Sequence, residues 1–166
     1  MRLTQPFYNQ SADHLAPLLL GKLLCRRIGD DIIRLPITET EAYVGEKDTA
    51  CHAHKGRTKR TDVMYNAGGV SYVYLCYGIH HLLNVVTGQV DEPEAVLIRS
   101  VQGITGPGRL TKALQIDMSL NRVDLTHSDE LWLEDGVQLP YITTPRIGID
   151  YADDEDRLRH WRFVVG

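Results

Sequence analysis

The sequence is poor in the groups that cross-link a chain, anchor it in a bilayer or hold a nucleotide cofactor. Its three cysteines, Cys25, Cys51 and Cys76, are odd in number and form no Cys-x-x-Cys pair, which argues against both a disulfide frame and a cysteine zinc site. No apolar run approaches the roughly 20 residues that a membrane-spanning helix needs. The opening residues MRLTQPFYNQ contain no apolar signal core, so a cytoplasmic protein without membrane contact is expected, nucleoid-associated in a prokaryote. No Gly-x-Ser-x-Gly elbow, Gly-x-x-x-x-Gly-Lys loop or Gly-x-Gly-x-x-Gly turn occurs. Serine hydrolysis and nucleotide cofactors are therefore not expected. Tryptophan is scarce, with Trp132 and Trp161 alone.

What is present suits one compact unit. A chain of 166 residues with 43% apolar and 24% charged side chains predicts a single domain over 1–166. The net charge of -4 is unevenly spread: residues 128–156 hold nine acids against Arg146 alone, a net of -8, leaving +4 for the rest. The densest basic stretch is Lys55-Gly-Arg57-Thr-Lys59-Arg60. Such a distribution fits a basic face opposite an acidic one, or simply a solvated acidic loop.

Periodicity places the elements. Ser11 is a plausible N-cap for a helix over about 12–20, with Leu15, Leu18 and Leu19 on its apolar stripe and Gly21 beyond its end. From Ile32 to Tyr43 the period changes to two, which predicts a strand with Pro36 at an edge or bulge. Residues 45–69 lack periodicity and read as a long functional loop. Val70–Tyr77, Leu82–Thr87 and Ala95–Val101 read as successive antiparallel strands. Gly106-Pro107-Gly108 opens a helix to about Ile116. Short strands near Leu131, at 146–149 and at 162–165 complete an α+β fold: a mainly antiparallel curved sheet with flanking helices and a protruding β-hairpin.

Three groups of residues carry chemistry. Ile33, Leu35, Ile37, Glu39, Glu41 and Tyr43 share one parity, so both glutamates are expected on the apolar face of the strand unless a bulge intervenes, roughly 6.8 Å apart. A carboxylate so placed either finds a cation or becomes a general acid or base. Glu39 and Glu41 also allow a glycoside-hydrolase reading, but two tryptophans are few for a sugar cleft. Tyr72, Tyr74 and Tyr77, in one strand-like run, are either ordinary β packing or a base-stacking surface. Cys51, His52 and His54 on one short loop have no second ligand cluster, so no metal is expected.

The segments Leu20-Gly-Lys-Leu-Leu24, Glu39-Thr-Glu-Ala-Tyr43, Ala50-Cys-His52, Gly56-Arg-Thr58, Tyr72-Val-Tyr-Leu-Cys-Tyr-Gly78 with Asn84-Val-Val86, Ala95-Val-Leu-Ile-Arg99 and Gly106-Pro-Gly-Arg-Leu110 span nearly the whole chain. In this order they resemble the alkyladenine (3-methyladenine) DNA glycosylase family. The resemblance implies a monofunctional, monomeric enzyme that needs no cofactor, flips a damaged purine out of duplex DNA and hydrolyses its N-glycosidic bond. It implies Glu41 as the general base, with Arg99 and the carbonyl of Ile147 positioning water, and a structural Glu39. Tyr43, His52 and Tyr74 would sandwich the base, Asn84 would line the pocket, and Tyr77 would wedge into the stack. Arg57, Lys59 and Arg60, with Arg109 and Lys112 at the helix start, would hold backbone phosphates. A non-catalytic damaged-DNA reader would need the tyrosines and the basic residues but not Glu41. The chain departs from the family pattern in a short segment between Arg99 and Gly106, in Ser100, Gln102 and Gly103, in Ile79-His-His81, in Leu82-Leu83 and in its early end at Gly166. These departures leave the preferred lesion open.

Overall fold

A computed structural model describes all 166 residues. The alternating stretch extends over fourteen residues as β2 (Asp31–Val44), the seam of the fold. Its first half pairs with β1 (Leu23–Ile28). Its second half lies between β5 (Glu94–Val101) and β9 (Arg162–Val165). β3 (Ser71–Cys76) and β4 (His80–Thr87) form a hairpin beyond β5, and β7 (Leu131–Glu134) flanks β1, giving the order β3-β4-β5-β2-β1-β7. β6 (Ile104–Thr105) and β8 (Tyr141–Thr144) add short edges to β5 and β9. Every pairing is antiparallel, and the sheet curls into a half-barrel. Four short helices accompany it: α1 (Gln5–Tyr8), α2 (Ala12–Leu18), α3 (Pro107–Ala113) and α4 (Asp154–Leu158). No helix is long and apolar enough to cross a membrane.

One face of the sheet carries the main core. Leu15, Leu19 and Leu20 around α2 and Leu110 and Leu114 around α3 pack on Ile37, Ala42, Val85, Val96 and Ile98. Each buried leucine contributes about 1.5–3 kcal/mol relative to exposure. Ser11 is the N-cap of α2, but its side chain makes no cap hydrogen bond. The Ala12 amide instead donates to Glu94 of β5 at 2.8 Å, which fixes the helix to the sheet. After α2, Gly21 adopts φ +96°, and a Cβ there would meet the Val137 carbonyl oxygen at 1.8 Å, so the turn into β1 requires glycine.

Several boundaries differ from expectation. The helix expected over 12–20 ends at Leu18, and Leu23 and Leu24 belong to β1, a strand that the sequence reading missed because these leucines continue the helical spacing past Gly21. α3 stops at Ala113, short of the expected Ile116, and Gln115 turns the chain at φ +52°. No strand occupies 146–149; the strand lies earlier, at Tyr141–Thr144, and 146–149 is irregular because Arg146 turns into the interior. The loop over 45–69 contains two 3-10 turns, His52–Lys55 and Asp62–Tyr65.

The main correction concerns the face of the glutamates. The β2–β5 register shifts twice, between Ile37 and Glu39 and between Glu39 and Thr40, inserting Thr38 on β2 and Arg99 on β5. Ile37 and Ala42 both belong to the core, and Thr40 donates its hydroxyl to the Ala16 carbonyl of α2 at 2.9 Å. The parity therefore inverts at Thr38. Glu39, Glu41 and Tyr43 face away from the core that Ile33, Leu35 and Ile37 face.

Candidate active site

That second face of the sheet opens into a cavity of about 660 Å³. Strand alternation sends Tyr72 and Tyr74 from β3, Leu82 and Asn84 from β4, Leu97 and Arg99 from β5 and Tyr43 from β2 to it, while the neighbouring Val73, Leu83, Val96 and Ala42 serve the core. The loop before β3 supplies His52, and 147–151 supplies Ile147 and Tyr151. The structure thus brings Tyr43, His52, Tyr74, Asn84 and Arg99 together around one cavity.

The aromatic groups form a slot-like wall. The His52 ring meets Tyr74 edge-on with centroids 4.5 Å apart, and Tyr72 tilts against Tyr74 at 5.3 Å. His52 Nδ1 lies 2.9 Å from the Tyr72 hydroxyl. Burial, helped by Arg60 and Lys55, depresses the His52 pKa to about 4, so the imidazole is neutral at neutral pH. Asn84 donates to the Tyr72 carbonyl at 3.2 Å, which fixes the orientation of its amide.

Glu41 lies one layer behind the wall, fully buried, and its partners line the cavity. Tyr43 donates its hydroxyl to Oε1 at 2.8 Å, the Ile147 amide donates to Oε2 at 2.7 Å, and Arg99 Nη1 stands 3.8 Å from Oε1. Burial raises its pKa above the usual carboxylate range, against the opposing pull of Arg99, the Ile147 amide, Tyr43 and Arg146. Ile147 touches Glu41 through its amide. Each carboxylate oxygen keeps lone-pair capacity beyond these donors.

Glu39 is different in kind. It accepts from Arg99 Nε at 3.0 Å, Arg162 Nε at 2.6 Å and the Ser100 hydroxyl at 2.6 Å. Burial works to raise its pKa, but Ser100, Arg162 and Arg99 together hold it below the usual range. With Arg99, Arg162 and Ser100 all donating to it and no place in the cavity wall, Glu39 is not presented to a substrate, which argues against a glycoside-hydrolase pair. Ser100 also accepts from the Gly106 amide at 3.1 Å, so that amide at the start of α3 is not free for a phosphate.

The loops that frame Glu41 form one unit. Arg146 is buried and bidentate on Asp48, at 2.6 and 3.0 Å, and its guanidinium lies between the rings of Tyr43 and Trp161, at 4.9 and 5.1 Å. Thr49 binds Asp156, and Tyr151 donates to the Ala50 carbonyl at 2.7 Å. Sequence reasoning missed Arg146, Asp48 and Tyr151. The one available signal was Arg146 itself, the lone cation of the acidic 128–156 segment.

The residues expected to contact DNA are dispersed. Tyr77 stands at the tip of the β3–β4 hairpin, 88% exposed and at φ +53°, followed by Gly78 at φ +68°. Arg57 is exposed but paired with Asp62 at 2.6 Å and Asp91 at 3.4 Å. Lys59, Arg109 and Lys112 are exposed, and Arg109 borders the cavity. Arg60 leans over the Tyr74 ring at 5.0 Å and lines the cavity.

The family model described as methylpurine-DNA glycosylase matches residues 6–105 and 102–166. A protein of Borreliella afzelii (strain PKo) is 46% identical over 173 residues, covering 96% of this chain and 93% of its own. One from Psychrobacter cryohalolentis is 47% identical over 167 residues, covering 82% and 79%. One from Rickettsia felis is 44% identical over 171 residues, covering 98% and 92%. All three are provisionally named 3-methyladenine DNA glycosylases. The chain belongs to the methylpurine-DNA glycosylase family.

Proposed function

We propose that this chain, as a DNA glycosylase, turns a damaged purine nucleotide out of duplex DNA into the cavity and hydrolyses its N-glycosidic bond with a water activated by Glu41, leaving an intact abasic site. It acts as a monomer on alkylated or deaminated purines. The DNA substrate and glycosylase activity rest on the family. The observation that supports the mechanism is the setting of Glu41: a buried carboxylate with its geometry fixed by Tyr43 and Ile147, directly behind an aromatic cavity.

The chemistry follows from that setting. As the bond between the sugar carbon C1′ and the purine nitrogen breaks, its electron pair goes to the base. Water adds to C1′, and Glu41 takes its proton. Burial raises the basicity of Glu41, while two fixed donors keep enough of it ionised to act. Arg99, 3.8 Å from Glu41 Oε1 and on the cavity wall, orders the water. Glu39 holds Arg99 in place through the Nε contact.

Tyr43, His52 and Tyr74 hold the base by stacking, and the neutral imidazole adds no charge of its own to the wall. Tyr77 supplies the wedge. A bulky residue at φ +53° is strained by roughly 1–3 kcal/mol, a cost usually found where a side chain must be aimed for function. Filling the gap left by the extruded nucleotide is such a use. The exposed Lys59, Arg109 and Lys112 hold flanking phosphates.

Glu41→Gln tests the reading. It keeps the shape of the side chain and removes the base, so lesion-duplex binding should persist while single-turnover excision falls by about 10²–10⁴-fold. Excision within about threefold of wild type would overturn the role of Glu41. Unchanged excision would also favour another base, whereas binding without excision by the wild-type chain would make it a damaged-DNA reader.

A further inference from the structure

The cavity wall includes three arginines, Arg60, Arg99 and Arg109, and no aspartate or glutamate. They are not equivalent. Arg99 is compensated by Glu39 at 3.0 Å and Glu41 at 3.8 Å. The buried Arg146, against the Tyr43 ring, is compensated by its bidentate contact with Asp48. Arg60 has no carboxylate within ion-pair distance, yet it is the guanidinium set over the ring of Tyr74, 5.0 Å from its centroid. Its neighbour in the basic loop, Arg57, spends its charge on Asp62 and Asp91.

We infer that Arg60 is a specificity-determining residue of the base slot, disfavouring purines that carry a positive charge and favouring neutral lesion bases. The inference rests on the glycosylase reading and deepens it. N-alkylated purines such as 7-methylguanine in DNA are cationic, whereas hypoxanthine and ethenoadenine are neutral. An aromatic face attracts cations through its ring quadrupole, and one cation already against the ring uses that attraction. A second positive charge entering beside it meets direct repulsion, which the exposure of Arg60 to water keeps modest. The effect of Arg60 reaches the rest of the wall: together with burial it keeps His52 neutral, so the imidazole adds no further charge.

This role differs from a phosphate contact in a measurable way. A phosphate contact carries no base information, so its loss weakens all duplexes alike and lowers the salt dependence of binding. A slot charge acts on the ratio between lesion classes. Duplexes with a single 7-methylguanine or a single hypoxanthine should therefore be compared for equilibrium affinity and single-turnover excision with wild type, Arg60→Gln and Arg60→Lys. Each variant is scored as its ratio of the two lesions relative to the wild-type ratio, which cancels the intrinsic lability of the cationic nucleoside. Arg60→Gln should move the ratio toward 7-methylguanine by about fivefold, and Arg60→Lys, which keeps the charge, should stay within about twofold. Equal changes for both lesions, with a smaller salt slope, would overturn the inference and make Arg60 a phosphate ligand. A ratio that moves as far in Arg60→Lys as in Arg60→Gln would also overturn it. Binding of lesion duplexes without release of either base would count against the hydrolytic reading alone, and the affinity ratio would still decide the role of Arg60.

Discussion

Asp48→Asn should lower both stability and excision, because Asp48 is the counter-ion of a guanidinium with no access to water. The side chains of Arg146 and Asp48 are 0% and 1% exposed. Arg146 also donates to the Ala42 and Asp156 carbonyls at 2.9 and 3.1 Å, and Asp48 also accepts from the Val44 and Ala50 amides at 2.9 and 3.1 Å. The amide of asparagine keeps the volume but leaves a buried cation unpaired, a loss of about 3–5 kcal/mol. At roughly 2–4 °C per kcal/mol for a chain of this size, Tm should fall by about 6–20 °C. Excision should fall further than the unfolded fraction explains, since Ile147, whose amide holds Glu41, directly follows Arg146. Thermal unfolding and single-turnover excision on the same preparation, assayed well below Tm, separate the two effects. Adding Arg146→Met to Asp48→Asn should restore part of the stability by removing the orphaned charge. A Tm within about 2 °C of wild type for Asp48→Asn, or strict additivity in the double variant, would refute this account.

Tyr43→Phe keeps the stacking ring but deletes the donor to Glu41 Oε1. Glu41 works ionised, so activity is present above its pKa and lost as pH falls through it; losing a donor that lowers this pKa should move the acid limb of the single-turnover profile to higher pH, and a limb that moves down would contradict the hydrogen bond's role. Glu39→Gln should destabilise the fold by leaving Arg99 and Arg162 short of a counter-ion, yet retain excision far better than Glu41→Gln; the reverse order in a side-by-side rate measurement would exchange their roles. Tyr77→Asn, better suited to φ +53°, should leave Tm equal or slightly raised while weakening lesion-duplex affinity; a large fall in Tm with unchanged affinity would mean that the ring packs rather than wedges. Borohydride should trap no protein–DNA adduct during turnover, because no lysine lines the cavity; a trapped adduct would indicate an imine and a different mechanism.

The parts of this molecule legible in its sequence are those fixed by short-range periodicity. Alternation from Ile33 to Tyr43 and through the tyrosine strand marked β2 and β3, and Pro107 marked the start of α3. The residues of the aromatic wall were legible through the family resemblance, since tyrosines on a strand are otherwise ordinary packing. The clamp was not legible, because Arg146 and Asp48 stand 98 positions apart and neither side chain has a local pattern that calls for the other. The acidic 128–156 segment shows the limit of charge counting: its arginine is buried, Asp156 is buried beside it, and the solvent-exposed Ile147 and Tyr151 with the buried Ile149 border the cavity.

The face of Glu41 shows why the remaining step needed the sheet itself. A strict period of two puts Glu39 and Glu41 beside Ile33, Leu35 and Ile37, against the leucines of α2 and α3, where a carboxylate would be unpaired. The inserted residues are Thr38 on β2 and Arg99 on β5, one on each strand of the same pair. The first inverts the parity so that the glutamates leave the core. The second leaves the β5 ladder at the position where its guanidinium can reach both carboxylates, at 3.0 and 3.8 Å. Neither insertion has a sequence mark such as glycine, because a bulge is a property of cross-strand register rather than of one residue's φ preference. The irregularity that defeats the local pattern is therefore the same one that assembles the acid, its arginine and the cavity wall on one face.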